Sequence, residues 1–378
     1  MEALEGATTM ERMLLAQAKQ SHTPVNGSIE LLPLCNMNCD MCYVRLSREE
    51  MERQGRLRTA EEWLEIGRQM KDAGVLFLLL TGGEPLLYPD FRELYLGLRR
   101  LGMILTINTN GTLIDEEWAA FFGTYKPRRV NITLYGADEK AYADLCHYPG
   151  GFARTISGIR LLQKYGVDVK VGGSLARANR GDLDRILEIG EQMDVPVRVD
   201  TYMMPAARER ELPFAMQSRL EPEEAAQARV RALKREMGAE LFGQYVAESI
   251  DRAEHPEPAE EKPGQMACMA GQCSFTINWQ GEMRPCVILG KPAIPVFESG
   301  FQNAWKKLME ETGNIRLSAR CSVCHLRHLC RTCAASALLE AGSYEAVPEY
   351  MCRYAKETLR LLREERETWK DGQNWTDW

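Results

Sequence analysis

The chain has 378 residues, 45% hydrophobic and 27% charged, and its formal net charge at pH 7 is −7. This composition allows a sizeable buried core and about two domains, and the net charge offers no basic face for nucleic acid. No run of eighteen apolar residues and no signal-peptide pattern occurs, so neither a membrane span nor secretion is predicted. Twelve cysteines in such a chain indicate metal binding in the cytoplasm rather than disulfides.

The first chemical signal is a loop with three cysteines. Cys35, Cys39 and Cys42 follow the apolar run Ile29–Leu34 at CX3CX2C spacing. A [4Fe-4S] cluster usually takes four thiolates, so three of them leave one iron open to a ligand outside the protein. The loop resembles the cluster loop of the radical S-adenosylmethionine (SAM) enzymes. In that family SAM binds the open iron and is cleaved reductively to methionine and a 5′-deoxyadenosyl radical.

A second motif ends the next predicted strand, Val75–Leu80, in the sequence Thr81-Gly-Gly-Glu-Pro85. Two glycines permit close approach of the backbone to a ligand, and a carboxylate accepts hydrogen bonds from an ammonium group. The motif resembles the GGEP element that holds the SAM amine in the same family. The resemblance implies SAM contacts for Gly82, Gly83, Glu84 and Pro85. In isolation the pattern equally fits a strand-ending turn with a solvated glutamate.

Strands and helices alternate through the first two hundred residues. A capping box formed by Thr59 and Glu62 predicts a helix that ends near Ala73. The elements predicted next are helix 90–101, strand 103–107, strand 129–134, helix 153–165, strand 167–174, helix 182–193 and strand 195–202. This alternation predicts an α/β fold with a parallel sheet and right-handed crossovers. The resemblance implies the open, partial (β/α)6 barrel of the radical SAM family.

The family resemblance implies further SAM contacts in the cluster loop and at strand ends. They are Met41, Tyr43, Asn108, Thr109, Asn110 and Thr133. Met41 stands where the family commonly has an aromatic residue against adenine, and a thioether can also pack on a ring. For the polar residues, ordinary strand-end capping is the alternative interpretation. The arginine that many relatives carry near residues 144–148 is absent, and His147 is a weak substitute.

The pattern changes between about residues 205 and 265. Leu220–Met237 is rich in helix formers and has Pro222 in its first turn, which predicts one helix. His255–Pro263 is acidic and rich in proline, so it cannot be a core element and is predicted to be a linker or a lid.

The following part of the chain is rich in cysteine. Its eight thiols belong to Cys268, Cys273, Cys286, Cys321, Cys324, Cys330, Cys333 and Cys352. This spacing, with Gly281 before Cys286, resembles the SPASM domain, which holds two auxiliary [4Fe-4S] clusters. The resemblance implies one cluster on Cys268, Cys273, Cys286 and Cys333 and another on Cys321, Cys324, Cys330 and Cys352. Cys146 is left without a role.

A zinc ribbon is the alternative for this region, because two CX2C pairs, at residues 321–324 and 330–333, could hold one zinc ion. That interpretation leaves four cysteines unexplained.

The preferred domain organisation comprises an N-terminal segment (1–27), a radical SAM partial barrel (28–205), a helical linker (206–265), a SPASM domain (266–355) and a C-terminal helix and tail (356–378). The predicted cofactors are three [4Fe-4S] clusters, one of them SAM-binding, together with SAM.

Auxiliary clusters with four thiolates have no open iron, so electron transfer is the role expected of them. That role fits a net two-electron oxidation of the substrate. SPASM enzymes that resemble this chain act mainly on peptides, which implies a maturase that forms a thioether or carbon–carbon crosslink in a ribosomally made peptide. The partners implied are the peptide and a reducing electron donor such as flavodoxin or ferredoxin. About 28 residues precede the first predicted strand, fewer than the leader-binding module of many peptide maturases, so the leader is expected to bind to a separate protein, to the linker or to the barrel mouth.

Three alternatives stay open. A sulfatase-type formylglycine maturase is disfavoured because that branch has an acidic base directly after the cysteine matched by Cys286, where this chain has Val287. A small-molecule dehydrogenase or epimerase has no contrary motif. A non-catalytic iron-sulfur electron carrier is disfavoured because it has no use for a GGEP element. No residue is identified as the base that takes the substrate proton.

Overall fold

The computed structural model describes residues 8–204, 209–210, 217–256, 264–330 and 332–370. The strands are β1 Asn26–Glu30, β2 Phe77–Thr81, β3 Ile104–Thr109, β4 Arg129–Leu134, β5 Val169–Ser174, β6 Val197–Asp200, β7 Ser274–Ile277, β8 Glu282–Arg284 and β9 Ile294–Pro295. The helices before β6 are α1 Thr9–Ser21, α2 Arg48–Gln54, α3 Ala60–Asp72, α4 Phe91–Arg100, α5 Glu116–Thr124, α6 Glu139–Cys146, α7 Gly151–Lys164 and α8 Leu183–Met193. The later helices are α9 Pro222–Glu254, α10 Val296–Ser299, α11 Phe301–Gly313, α12 Ala319–Ser322, α13 Ala334–Ala341 and α14 Glu349–Lys370.

The first six strands form a parallel sheet in which neighbours in sequence are neighbours in space, from β1 to β6. Helices connect the successive strands. The predicted α/β fold with a parallel sheet is therefore confirmed. Because all six strands run in one direction, their carboxyl ends lie along one edge of the sheet, where ligands of such folds bind.

Helix α3 shows how the local sequence builds this layer. The Thr59 hydroxyl accepts a hydrogen bond from the Glu62 amide, and the Glu62 carboxylate accepts one from the Thr59 amide, as the capping box predicts. The side chains of Trp63, Ile66 and Met70, at helical spacing, are buried in the main core with the strands. The helix ends just before Gly74, whose φ of 95° suits glycine.

The cysteine-rich region continues the same sheet, which the sequence did not predict. Strand β7 pairs in parallel with β1, and β8 and β9 follow in antiparallel order. The nine-stranded sheet thus crosses the predicted boundary at residue 266. An unpaired β1 would expose a row of backbone donors and acceptors, and β7 satisfies them.

Two long helices, α9 and α14, pack against each other. Leu233 and Phe242 of α9 and Leu359 and Leu362 of α14 are buried in one apolar cluster. The helix predicted over 220–237 is the first part of α9, which continues to Glu254 beyond a break at Gly238 with φ 68°. Most of the predicted linker or lid at 255–263 lies outside the described residues. No described helix is long and apolar enough to cross a membrane.

Candidate iron-sulfur and SAM site

The three-cysteine loop begins at the carboxyl end of β1, at the ligand-binding edge of the sheet. Burial raises the pKa of Cys35 to about 12, and the neighbouring charges of Cys39 and Cys42 contribute to that rise. Burial and then the charge of Cys39 likewise raise the pKa of Cys42. The three thiols are therefore within electrostatic reach of one another. The amides of Met37 and Arg45 donate to the Sγ atoms of Cys35 and Cys42 at 3.4 and 3.3 Å.

The GGEP turn lies against the segment that leads into this loop. The amide of Gly83 donates to the Leu32 carbonyl at 2.7 Å, and that of Glu84 donates to the Leu34 carbonyl at 2.9 Å. A Cβ atom on Gly82 would meet the Leu32 oxygen at 2.5 Å, and one on Gly83 would meet the Leu34 oxygen at 2.2 Å. The glycines thus let two backbone segments approach each other, and their approach to a ligand stays a prediction.

Glu84 is fully buried and is not the solvated glutamate of the alternative interpretation. Its carboxylate accepts hydrogen bonds from Thr109 Oγ1 at 2.7 Å, the Asn110 amide at 2.9 Å and the Leu86 amide at 3.1 Å. Burial raises the pKa of Glu84 to about 7, although these hydrogen bonds oppose the rise. The carboxylate therefore joins the end of β2 to the end of β3. Pro85, also buried, opens a single helical turn.

Asn110 joins the end of β3 to the cluster loop. Its Nδ2 donates to Asn36 Oδ1 at 2.9 Å and lies 3.7 Å from Cys35 Sγ. Its Oδ1 accepts hydrogen bonds from the amide and hydroxyl of Thr112, and the same hydroxyl accepts one from Asn36. The side chain of Asn110 therefore holds the cluster loop in place. The Thr109 hydroxyl and the Asn110 amide hold the Glu84 carboxylate.

The remaining candidate SAM contacts are half-buried around the same edge. Met41 packs against the main core, and the Tyr43 carbonyl accepts a hydrogen bond from the Arg210 amide at 3.2 Å. Asn108 Oδ1 accepts one from Asn131 at 2.8 Å. Thr133 lies on β4 opposite Gly172 of β5. The structure brings these residues to one edge, and their contacts with SAM remain a proposal.

Cys146, which had no predicted role, lies against the cluster loop. A hydrogen bond with Cys146, followed by burial, holds the pKa of Cys39 well above its usual range, while a hydrogen bond with Tyr135 lowers it. The backbone amide of Asn38 donates to the Cys146 carbonyl at 3.0 Å. His147 Nε2 is 2.7 Å from Asp40 Oδ1. The end of α6 thus positions the middle of the loop.

Two further residues near the loop were missed because they follow β6 in a segment without a motif. Arg210 Nη1 donates to the Cys39 carbonyl at 3.0 Å, and its charge lowers the pKa of Cys42. Glu209 forms a buried ion pair with Arg284 of β8 at 3.2 Å. This adjacent pair therefore connects the cluster loop to the cysteine-rich region. Both lie several residues beyond the end of β6 at Asp200, so no sequence signal marked them.

The eight C-terminal thiols fall into two groups. After burial, the charges of Cys333 and Cys268 raise the pKa of Cys286, and that of Cys268 raises the pKa of Cys273. These are the four residues predicted for the first auxiliary site. Cys273 is fully buried against Leu15 and Ala18 of α1, so the N-terminal helix covers this site.

The second group has a separate environment. After burial, the charges of Cys330, Cys352 and Cys324 raise the pKa of Cys321. Cys324 and Cys330 pack against the apolar cluster between α9 and α14. Cys333, the fourth ligand of the alternative zinc ribbon, lies with Cys286 against a different cluster. This grouping favours two cluster sites over one zinc site.

The donor chemistry fits iron-sulfur clusters at all three places. Among the described residues, no three Cys, His, Asp or Glu side chains converge on the position of a single metal ion. A [4Fe-4S] cluster binds one thiolate at each ligated iron, so its ligands surround the cluster instead of converging. Binding would deprotonate the buried thiols, and the amides that point at Cys35 and Cys42 would stabilise the thiolates.

The fold and the three-thiol loop are typical of one class of enzyme domain. Residues 29–188 match the sequence model of the Radical SAM superfamily. The chain therefore contains a radical SAM domain, and this domain implies a [4Fe-4S] cluster and SAM.

Among known sequences, the chain is similar to the AdoMet-dependent heme synthase of Methanosarcina barkeri, with 23% identity over 83% of this chain and 92% of that protein. It is also similar to the antilisterial bacteriocin subtilosin biosynthesis protein AlbA of Bacillus subtilis, with 24% identity over 71% of this chain and 56% of AlbA.

Two solved structures share the fold. Streptococcus suis SuiB bound to S-adenosylmethionine has a TM-score of 0.66 and 19% identity, over 90% of this chain and 81% of SuiB. The structure of anSMEcpe with bound AdoMet has a TM-score of 0.69 and 17% identity, over 93% of this chain and 96% of that chain.

Proposed function

We propose that this protein is a radical SAM enzyme with two auxiliary [4Fe-4S] clusters that oxidises a ribosomally made peptide and forms an intrapeptide crosslink. The observation that carries the proposal is the division of the eight C-terminal thiols into two groups, of which the second lies beside the apolar cluster between α9 and α14. Two fully ligated clusters there would receive the second electron of a substrate oxidation.

In this proposal, Cys35, Cys39 and Cys42 hold the SAM-binding cluster, and bound SAM supplies the 5′-deoxyadenosyl radical that removes a hydrogen atom from the peptide. The GGEP turn, Glu84 and Asn110 keep the loop in place. Met41, Tyr43, Asn108, Thr109 and Thr133 line the SAM side of the sheet edge. The crosslink forms as the substrate loses a second electron and a proton.

A peptide substrate is supported by relatives. AlbA is a subtilosin biosynthesis protein, SuiB has been solved bound to its precursor peptide SuiA, and anSMEcpe has been solved with bound peptides. We also propose that a separate protein binds the leader of the peptide. A flavodoxin or ferredoxin would supply the reducing electron.

A small-molecule substrate is the second candidate. The match to the AdoMet-dependent heme synthase of Methanosarcina barkeri covers 92% of that protein, more than the 56% of AlbA. Formylglycine formation is the less favoured enzyme activity, because Val287, which follows Cys286, cannot act as a base.

Anaerobic co-expression with the short peptides encoded beside the gene, followed by mass spectrometry, tests the proposal. A peptide that loses two hydrogens with the wild-type enzyme but not with Cys35→Ala would support it, and fragmentation would locate the bond. Formation of 5′-deoxyadenosine by the purified enzyme with every peptide unchanged would favour a small-molecule substrate instead.

A further inference from the structure

The second auxiliary thiol group lies in a segment of the sequence that carries positive charge and no acidic residue. Residues 312–339 contain four arginines and no aspartate or glutamate, in a chain whose net charge is −7. Cys321, Cys324 and Cys330 lie within this segment. Arg320 directly precedes the first of them, so its charge lies beside the proposed cluster.

The segment and α14 form one concave surface. A cavity of about 370 Å³ lies between them and is lined by His325, Leu326, Lys356, Leu359, Arg360, Arg363, Glu364 and Glu367. Val323, between the two thiols of the first CX2C pair, is 61% exposed. Cys352 is one helical turn before Lys356 on α14 and is within electrostatic reach of Cys321. We call Arg320, Val323, His325 and Lys356 the basic face.

The positive charge of this face is not cancelled locally. Farther along α14, Arg360 pairs with Glu357 and Glu364, and Arg363 lies 3.6 Å from Glu254. In contrast, Arg320 and Lys356 are exposed and form no ion pair within the described part of the chain. An exposed apolar side chain that has basic residues near it in the sequence and lies between two proposed cluster ligands suits a small, transient electron-transfer contact, and opposite charge accelerates such encounters.

We propose that the basic face docks an acidic one-electron carrier protein, which takes the electron that the second auxiliary cluster receives from the substrate. In each transfer the reduced cluster loses one electron to the carrier. When the carrier is a flavodoxin, its oxidised flavin gains this electron and a proton from solvent and becomes a semiquinone. The inference rests on the proposed function, because a carrier needs a cluster at Cys321, Cys324, Cys330 and Cys352.

The test uses iron-loaded full-length enzyme and oxidised flavodoxin as the acidic probe, and it measures both the dissociation constant and the rate of flavin reduction by pre-reduced enzyme. We expect Arg320→Glu combined with Lys356→Glu to weaken binding and slow transfer by roughly tenfold or more. Higher salt should weaken binding to the wild-type enzyme, since the attraction is screened. The matched control reverses Arg100 of α4 and Lys306 of α11, both exposed, and should change neither quantity.

Iron content and reduction of a small neutral quinone separate the possible failures. Unchanged binding and transfer in the double variant, with normal iron and normal quinone reduction, would overturn the docking proposal alone. A wild-type protein without iron at the second site would overturn the proposed function, and the docking proposal with it. If Arg320→Glu lowers the iron content by disturbing the adjacent cluster, the single variant Lys356→Glu tests the docking proposal instead. Lys356 lies on α14 and is not adjacent in sequence to a cluster ligand. Tighter binding of a substrate peptide than of flavodoxin would assign the face to the peptide.

Discussion

At the scale of single residues, Glu84 is the buried link between two strand ends. Its carboxylate accepts three hydrogen bonds, so Glu84→Gln would place an amide donor against at least one other donor. We expect the free energy of unfolding to fall by about 1–3 kcal/mol, measured by urea denaturation. The exposed Glu93→Gln serves as the control and should stay within about 0.5 kcal/mol of the wild type.

The same variant tests the raised pKa of Glu84. Because the folded-state pKa is about 7 and the ordinary value is 4.5, the folded protein holds the proton more tightly. This contribution to stability is present below pH 4.5 and is lost as the pH rises through 7. The wild type should therefore lose more stability than Glu84→Gln between pH 5 and 8. Equal losses would contradict the raised pKa.

Residues with a motif could be predicted from the sequence, and residues placed by tertiary folding could not. The resemblance of the cysteine pattern to the SPASM domain predicts two groups of four ligands, and this assignment stays a prediction. Cys146 and Arg210 carry no local signal, because each reaches the cluster loop from an element distant in sequence. The GGEP motif pointed to Glu84, but its three hydrogen-bond donors within the chain depend on how β2 and β3 end.

At the scale of elements, the start of α3 depends on Glu62. Its carboxylate caps the helix through the Thr59 amide and pairs with both oxygens on Arg56. The hydrogen bond from Arg56 leads the interactions that lower the pKa of Glu62 to about 2. Glu62→Gln should cost about 1 kcal/mol at pH 7.

The pH dependence of this loss has a definite sign. A depressed folded-state pKa stabilises the protein above pH 4.5, and the contribution is lost as the pH falls toward 2. The difference between wild type and Glu62→Gln in thermal unfolding should therefore shrink below pH 4. Glu61→Gln is the control, since Glu61 forms an exposed ion pair with Arg68 and should change stability by a few tenths of a kcal/mol. A difference that stays constant down to pH 3 would exclude this account.

The turn between β7 and β8 depends on Gly281. Its φ is 92°, and a Cβ atom would lie 2.3 Å from the Phe297 ring. Gly281→Ala should destabilise the protein by about 1–3 kcal/mol and lower the iron content, because Cys286 lies just beyond β8, after Pro285. Gly290→Ala is the matched control, since nothing lies within 4 Å of its added Cβ. Full iron content in Gly281→Ala would show that the turn does not position Cys286.

Elements with strong periodicity or caps were predicted well, and long-range pairings were not. The helix after Thr59 and the strand at 129–134 agree with α3 and β4. The pairing of β7 with β1 joins residues about 250 positions apart, and strand propensity says nothing about a partner that distant. The continuation of α9 past Gly238 was also missed, because glycine with positive φ normally ends a helix.

At the scale of the whole molecule, a buried polar cluster joins the end of the barrel to the cysteine-rich region. Arg219 pairs with Glu340 at 3.2 Å, both 6% exposed, and stacks on the Tyr350 ring at 3.5 Å. The Tyr202 hydroxyl donates to Glu340 at 2.8 Å. Glu340→Ala leaves a buried arginine without its carboxylate and should cost about 3–5 kcal/mol in urea unfolding.

The exposed pair of Arg353 with Glu223 provides the control for this prediction, because Glu223→Ala should cost at most about 1 kcal/mol. Similar losses for both variants would mean that the buried pair does not hold the two regions together.

The central claim is that one chain carries a SAM-binding cluster and two auxiliary clusters. Iron and zinc counted per chain after anaerobic purification test it most directly. The account predicts about twelve irons with little zinc, and about eight irons when Cys35, Cys39 and Cys42 are all replaced by alanine. About four irons together with bound zinc in the wild-type protein would contradict it.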